Sequence, residues 1–423
     1  MAEHGAGRLD AAEALYRGLL AERPDEPDAL HLYGVLLAQR GRHAEAYASI
    51  ARAVAVSPDE PMFRNNLGNV CIERGRFEEA EALYRQAMAL DPGRVDALNN
   101  LGVLLGRRGR ADEAEQVLLK VIELAPSFAD ARQNLANHYL RHGRLGDAVQ
   151  QCFEGLIVAP RSTALRRMLG VAYSMMGMNE QAIEVYRSWL QSDPGNPIAA
   201  FHLQACAGAA VPERAPDAYV EQVFDSFAAS FDAKLAVLGY KAPELVLGGV
   251  ARRLGAPRQI LDVLDAGCGT GLCGPLLAPY SRSLCGVDLS GGMLKKALAR
   301  RVYDELVQGE LVEFLQARRA AWDLVVSADT LCYFGRLEAC VAAAAVSLRP
   351  AGVLVFTVEA HPDDEGEPDW RLHGHGRYSH RRRYLEAVLR GAGFDAIEFE
   401  PVVLRHEGAE PVRGWLVAVS RAH

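Results

Sequence analysis

Small and apolar positions recur along the first half of the chain with a fixed period. Glycines stand at 7, 41, 75, 109, 143 and 177, and prolines at 24, 58, 92, 126, 160 and 194, each set spaced by 34 residues. Between them the same sizes return. Leu67-Gly68, Ala80, Tyr84, Ala87 and Pro92 become Leu101-Gly102, Ala114, Leu118, Val121 and Pro126, and later Leu169-Gly170, Ala182, Tyr186 and Pro194. Such a period fits one helical hairpin stacked on the next. Small residues such as Gly68 and Ala80 let two helices approach closely, and Tyr84 or Leu118 is expected to fill the space between neighbouring hairpins. The glycine suits a left-handed helix C-cap, and the proline closes the second helix. Five full repeats are predicted, from Pro27, Pro61, Val95, Ala129 and Thr163. A lone second helix from Arg8 to Arg23 precedes them, and a capping helix from Pro197 to Ala207 follows.

This pattern resembles the tetratricopeptide repeat over roughly half the chain. The first helices of such repeats line a concave face, where Asn66, Asn100 and Asn134 share one position in three successive repeats. An amide both donates and accepts, so a row of them can pair with the backbone of an extended peptide. The row is similar to the asparagine ladder in the repeat domain of O-linked N-acetylglucosamine transferase, which holds substrate polypeptide; Leu32 and Met168 break it at its ends here. Two readings stand: a solvated groove that tolerates Asn, or a groove that binds a protein or peptide partner.

After a proline-rich and charged junction, Val211 to Asp217, the rhythm changes. Tyr219 to Leu235 reads as a helix with Phe224, Phe227 and Phe231 at helical spacing, and a second helix is predicted from Pro243 to Leu254. Strand and helix signals then alternate. Strands are expected at Ile260–Asp265, Ser283–Asp288, Glu305–Val307, Trp322–Ala328 and Gly352–Glu359, and helices from Leu272, from Met293, through Val341–Leu348 and near Arg382–Ala392. That order implies a parallel sheet covered on both faces. Two closing strands, Ala396–His406 and Val412–Ser420, are joined too closely for anything but a hairpin. The first strand runs into Asp265-Ala-Gly-Cys-Gly-Thr-Gly271. Three residues without a Cβ allow a ligand to approach the main chain, a device that nicotinamide and flavin enzymes also use.

The terminal hairpin and the spacing of acidic residues resemble class I S-adenosylmethionine-dependent methyltransferases. The chain is therefore expected to be an α-solenoid followed by an α/β, Rossmann-like, seven-stranded methyltransferase domain. Its divisions are set at 1–211 for the array, 212–257 for linker and lid helices, and 258–423 for the catalytic core. The resemblance implies S-adenosyl-L-methionine as cofactor, with Asp265 near its amino group and Gly267, Cys268, Gly269 and Gly271 along its methionine portion. It further implies Asp288 on the ribose hydroxyls, Leu289 and Met293 flanking adenine, and Glu310-Leu311 near the adenine amino group, where this family often has Gly-Asp. A carboxylate before the glycines repels a pyrophosphate and attracts an ammonium. Cys268 and Cys273 also read as small packing residues. Phe-Asp-x-x-Ala-x-x-Phe-Asp resembles the opening lid helix of small methyltransferases, with Phe231, Lys234 and Tyr240 over the cofactor.

Ser327-Ala-Asp329-Thr-Leu331 stands at the pocket mouth and lacks both the Asn-Pro-Pro-Tyr and the paired-glutamate signatures of amino-group and arginine methyltransferases. Methyl transfer needs alignment more than acid or base help, an effect of roughly 7–11 kcal/mol. If a base exists, Asp329, Glu359, His361 and the stretch Gly376-Arg377-Tyr378-Ser379-His380 are candidates, and Tyr378 and His380 are the expected substrate contacts.

Composition narrows the surroundings. A formal charge of −8 and a pI near 5.9 argue against a nucleic-acid partner. Eight cysteines without a CxxC pair fit a reduced, cytoplasmic protein without a disulfide framework, and no metal-binding spacing is present. No apolar run approaches a membrane span. The leading expectation is a methyltransferase whose repeats recruit a protein partner or substrate. Others are a small-molecule methyltransferase using the repeats for assembly, a non-catalytic scaffold with a retained cofactor site, and a nicotinamide-dependent oxidoreductase.

Overall fold

Helical hairpins follow the 34-residue period in register. The computed structural model describes residues 2–208, 211–228, 231–232, 235, 238–362, 364, 366, 368–407 and 410–421. A short α1 (Ala2–Gly5) and α2 (Leu9–Glu22) lead into five pairs: α3 (Pro27–Gln39) with α4 (His43–Val56), α5 (Pro61–Glu73) with α6 (Phe77–Leu90), α7 (Val95–Arg107) with α8 (Ala111–Leu124), α9 (Ala129–Arg141) with α10 (Leu145–Val158), and α11 (Thr163–Met175) with α12 (Asn179–Ser192). A last helix, α13 (Pro197–Ala207), follows. The six periodic glycines adopt φ between +70° and +77°, the left-handed cap that a Cβ resists. At Gly68 the reason for glycine differs: a Cβ there would lie 2.5 Å from the Tyr84 ring. Tyr84 thus packs onto Gly68 within its own hairpin, not only between hairpins as the pattern suggested.

The described residues fall into two compact units, 1–139 with 150–162, and 140–149 with 163–423. The expected boundary at residue 211 therefore does not mark a gap. The fifth hairpin and α13 pack in the same unit as the C-terminal α/β module, because α13 turns Phe201 and His202 inward. Phe201 is fully buried with its ring centroid 4.4 Å from that of Tyr219.

In the C-terminal module α14 (Asp217–Phe227) and α15 (Ala242–Leu254) precede the sheet. Strands and helices then run β1 (Leu261–Ala266), α16 (Gly274–Leu277), β2 (Ser281–Asp288), α17 (Gly291–Ala299), β3 (Glu305–Gln308), α18 (Leu311–Gln316), β4 (Trp322–Ser327), α19 (Glu338–Ser347) and β5 (Leu348–Ala360). The chain closes with β6 (Trp370–Leu372), β7 (Tyr378–His380), α20 (Arg382–Gly391), β8 (Phe394–Glu407) and β9 (Glu410–Arg421). β3-β2-β1-β4-β5 are parallel, and β9 runs antiparallel between β5 and β8, as the closing hairpin required. Among the described residues the sheet has nine strands, not seven. The two additional strands form a small antiparallel hairpin, β6–β7, that pairs with the end of β5 through Glu359 and Ala360. On one face α18, α19 and α20 bury Phe314, Val341 and Leu385; on the other α15 and α16 bury Val246, Val250 and Leu277. Parallel strands buried on both faces leave only their carboxyl ends open to a ligand.

Candidate functional site

A pocket of about 1100 Å³, its mouth included, opens at those carboxyl ends. Asp265, the penultimate residue of β1, is almost fully buried there and accepts a 2.7 Å hydrogen bond from the Tyr303 hydroxyl. Burial pushes its carboxyl up to about 7; the Tyr303 bond opposes this and the nearby Asp288 adds to it. Asp288, at the end of β2, accepts from the Gly269 and Ser290 N–H groups, each at 2.9 Å, and burial raises it as well.

The three glycines of the turn serve different ends. A Cβ on Gly267 would strike Thr330, whose hydroxyl donates to the Gly267 carbonyl at 3.1 Å. Gly269 faces open space, so its main chain is exposed to a ligand. Gly271 is needed for packing: a Cβ there would meet the Tyr303 ring and Ala297. It does not line the pocket, whereas Gly267, Cys268 and Gly269 do. Cys268 and Cys273 are buried thiols whose pKa is raised by burial, as expected of packing residues.

Leu289, Met293, Glu310 and Leu311 also line the pocket. Both oxygens of Glu310 are already engaged, because it caps α18 through the Glu313 N–H at 2.8 Å and pairs with Arg214 at 2.7 Å. A carboxylate so held is fixed in place but has fewer lone pairs to offer an adenine amino group.

The aromatic segment roofs the cavity. Phe224 packs edge-on against Phe231 at 5.8 Å and Tyr333 at 5.4 Å, and all three line the pocket with Leu235 and Tyr240. The Asp after each Phe is the fastener. Asp225 accepts from the Ser290 hydroxyl at 2.5 Å and the Gly292 N–H at 3.0 Å. Asp232 accepts from Arg300 at 2.6 Å and from the Thr270 hydroxyl. Lys234 lies outside the described residues, as does the side chain of Phe227.

At the far end Asp329 has φ +56° and lines the pocket with Thr330. Its Oδ2 lies 3.3 Å from Arg405, while its buried Oδ1 has no hydrogen-bond partner. Burial raises the Asp329 carboxyl to about 6, with the Arg377 guanidinium opposing the rise and Glu407 adding to it. Arg405, fully buried, also binds Glu359 at 2.6 Å and Glu407 at 2.9 Å. Asp329, Cys332 and Glu359 cluster closely enough to hold a cation, but both carboxylates already pair with the Arg405 guanidinium.

Two expected substrate contacts are not in the pocket. Tyr378 is fully buried and donates its hydroxyl to the Pro212 carbonyl at 2.8 Å. His380 is fully buried with Nε2 3.1 Å from the Gly335 carbonyl, and burial pushes it down to about 4. His361 is likewise buried and does not line the pocket. Arg377, the residue before β7, does line it. Sequence reasoning reached this stretch but chose the wrong side chains, since strand parity is invisible until the pairing with β5 is known. Tyr303 went unnoticed for the same kind of reason: nothing local links it to Asp265.

The asparagine row is bonded to side chains of the preceding repeats. The Asn100 amide donates to Asn65 Oδ1 at 2.9 Å and Asn69 Oδ1 at 3.0 Å, and Asn134 donates to Asn99 Oδ1 at 2.9 Å. Asn66 Nδ2 lies 2.7 Å from His31 Nε2, whose pKa is lowered by burial. The donors therefore staple successive repeats, and each side chain stays only partly buried.

The pocket suits a cationic, hydroxyl-bearing ligand. Burial raises the carboxyls of Asp265 and Asp288, Asp288 adds to the rise at Asp265, and neither forms an ion pair with a cationic side chain among the described residues, so an ammonium is favoured and a pyrophosphate opposed.

Comparison with known proteins agrees with both halves. Residues 264–356 match a family model described as a methyltransferase domain, and tetratricopeptide-repeat models match 4–67, 59–127, 99–159 and 134–197. Human methyltransferase-like protein 27 is 39% identical over 84 residues, 20% of this chain and 34% of its own length. Malonyl-[acyl-carrier protein] O-methyltransferase of Enterobacter lignolyticus is 31% identical over 138 residues, 32% of this chain and 55% of its own. The chain thus spans about half or less of the length of these relatives. A solved structure, the 1,6-didemethyltoxoflavin-N1-methyltransferase of Burkholderia thailandensis, aligns over 50% of this chain and 92% of its own at 21% identity and a TM-score of 0.40. No helix among the described residues is long and apolar enough to cross a membrane.

Proposed function

We propose that this chain, a tetratricopeptide-repeat array joined to a class I S-adenosylmethionine-dependent methyltransferase domain, methylates an acceptor that its repeats help to recruit as a protein or as part of one. The observation that carries the catalytic half is the Gly267–Gly269 turn between buried Asp265 and Asp288 in one roofed pocket. S-adenosylmethionine supplies a methyl group already activated on a sulfonium. Asp265 holds the ammonium, Asp288 the ribose hydroxyls, and Leu289 and Met293 the adenine. Glu310 fixes the adenine end by anchoring Arg214 and capping α18. Phe224, Phe231 and Tyr333 exclude water, which favours alignment over solvation at the reacting centre. Asp329 Oδ1, lacking a partner, receives the acceptor's proton where the reacting atom carries one.

Binding of S-adenosylmethionine, S-adenosylhomocysteine and NAD to the full chain tests this reading. Preference for the first two is expected, and preference for NAD overturns it. Radiolabelled methyl transfer into a lysate, resolved into protein and small-molecule fractions, tests recruitment. The second reading, a free small-molecule acceptor, is favoured by the narrow aromatic roof, and label confined to the small-molecule fraction would select it.

A further inference from the structure

The inner wall of the pocket carries a guanidinium that the cofactor does not require. Arg377 lines the pocket with about a quarter of its side chain exposed. Among the described residues its ion pairs use one nitrogen only: Nη1 lies 3.4 Å from Glu359 and 3.5 Å from Glu407. Both carboxylates are bound more closely by Arg405, at 2.6 and 2.9 Å. Among the described residues no carboxylate or carbonyl is hydrogen-bonded to Nε or Nη2 of Arg377; the Tyr333 hydroxyl is a polar neighbour, and Asp329 acts on the guanidinium through space. A planar fork with no carboxylate on Nε or Nη2, in a mostly apolar cavity, matches the geometry of a carboxylate.

The fork is also held in place. Arg377 follows a turn, residues 373–376, that is clamped by the last repeat. His202 on α13 is fully buried and its Nδ1–H donates to the Gly374 carbonyl at 2.9 Å. A Cβ on Gly374 would lie 1.7 Å from Ser174 Oγ on α11, and one on Gly376 2.5 Å from the Tyr219 hydroxyl. Held on one side by repeat helices and on the other by β5, the turn has little freedom to withdraw Arg377.

We propose that Arg377 is an acceptor-recognition subsite, and that the methyl acceptor carries a carboxylate which docks on it. This rests on the methyltransferase reading above. The charge count allows it. Buried Asp329 and Glu359 are matched by Arg405 and Arg377, and Glu407 is half in solvent where its charge is screened; the sulfonium of S-adenosylmethionine, which S-adenosylhomocysteine lacks, adds a further positive charge beside the acceptor in turnover.

The test uses the full chain saturated with S-adenosylhomocysteine, whose own binding is measured first, so that failure of the cofactor reading is seen separately. Butyrate, hexanoate and benzoate are titrated against their amides and against hexylamine, by calorimetry or ligand-observed NMR. At least one carboxylate is expected to bind about tenfold or more tightly than its amide, with the preference lost in Arg377→Gln while S-adenosylhomocysteine affinity is unchanged. Glu407→Gln, at a half-exposed site, removes one of the two carboxylates on Nη1 and is expected to tighten carboxylate binding severalfold, which keeps the proposal testable if Arg377→Gln does not fold. Equal binding of acid and amide across the set, tighter binding of the amine, or a carboxylate preference that survives Arg377→Gln overturns it.

Discussion

Asp265 gives the sharpest test of how the pocket recognises its ligand. Its carboxyl is fully buried, receives one hydrogen bond from Tyr303 and is raised to about 7. Only the ionised form attracts an ammonium, so affinity for S-adenosylhomocysteine should follow its ionised fraction. That fraction is about 3% at pH 5.5 and about half at pH 7, which predicts affinity rising about fifteenfold across that range. The range stays below the ligand amino group's own titration near pH 8. In the ligand-free protein the sign reverses. A carboxyl that holds its proton more tightly folded than unfolded makes the fold less stable as pH climbs from about 4 to about 7, by up to about 4 kcal/mol, and costs nothing below about 4. Asp265→Asn should therefore bind weakly with a flat pH profile, yet unfold at higher denaturant at pH 8 than the wild type, with the gain gone near pH 4. Calorimetry and urea unfolding at matched pH measure both. A wild-type affinity that is flat between pH 5.5 and 7, or an Asn variant with the same slope, refutes the role given to Asp265.

Three further outcomes are expected. Gly374→Ala, whose Cβ would meet Ser174 Oγ, should lower stability by about 1–3 kcal/mol, and Ser174→Gly should restore it in the double variant; thermal unfolding of all three decides. Asn100→Ala removes donors to Asn65 and Asn69 and should cost about 1–2 kcal/mol by urea unfolding. The triple change Asn66, Asn100 and Asn134 to Ala should also weaken capture of a protein partner. Unchanged capture would leave the row as a staple between repeats only. Asp225→Ala frees the Ser290 hydroxyl and Gly292 N–H and should loosen the roof, seen as faster hydrogen exchange across α14 and weaker S-adenosylhomocysteine binding, with the fold intact by circular dichroism.

Much of this protein is legible in its sequence because it depends on local rules. Glycines every 34 residues mark left-handed caps, Asp265 to Gly271 marks a strand running into a ligand turn, and the short link between β8 and β9 admits only a hairpin. Backbone sterics and strand spacing impose these whatever the rest of the chain does. Other features exist only once distant segments meet. Whether Arg377 or its neighbours Tyr378 and His380 reach the pocket turns on strand parity, set by the pairing of β7 with β5. The bond from Tyr303 to Asp265, the pairing of Arg405 with Asp329 and Glu359, and the clamp of His202 and Ser174 on the turn before Arg377 join residues 38 to 200 positions apart. The asparagine row was visible as a repeat, but that its donors turn to the preceding repeat was decided by how the hairpins stack. Periodicity shows where a side chain recurs; what it touches is fixed by packing, because contact energies fall off within a few ångströms and carry no trace of separation along the chain.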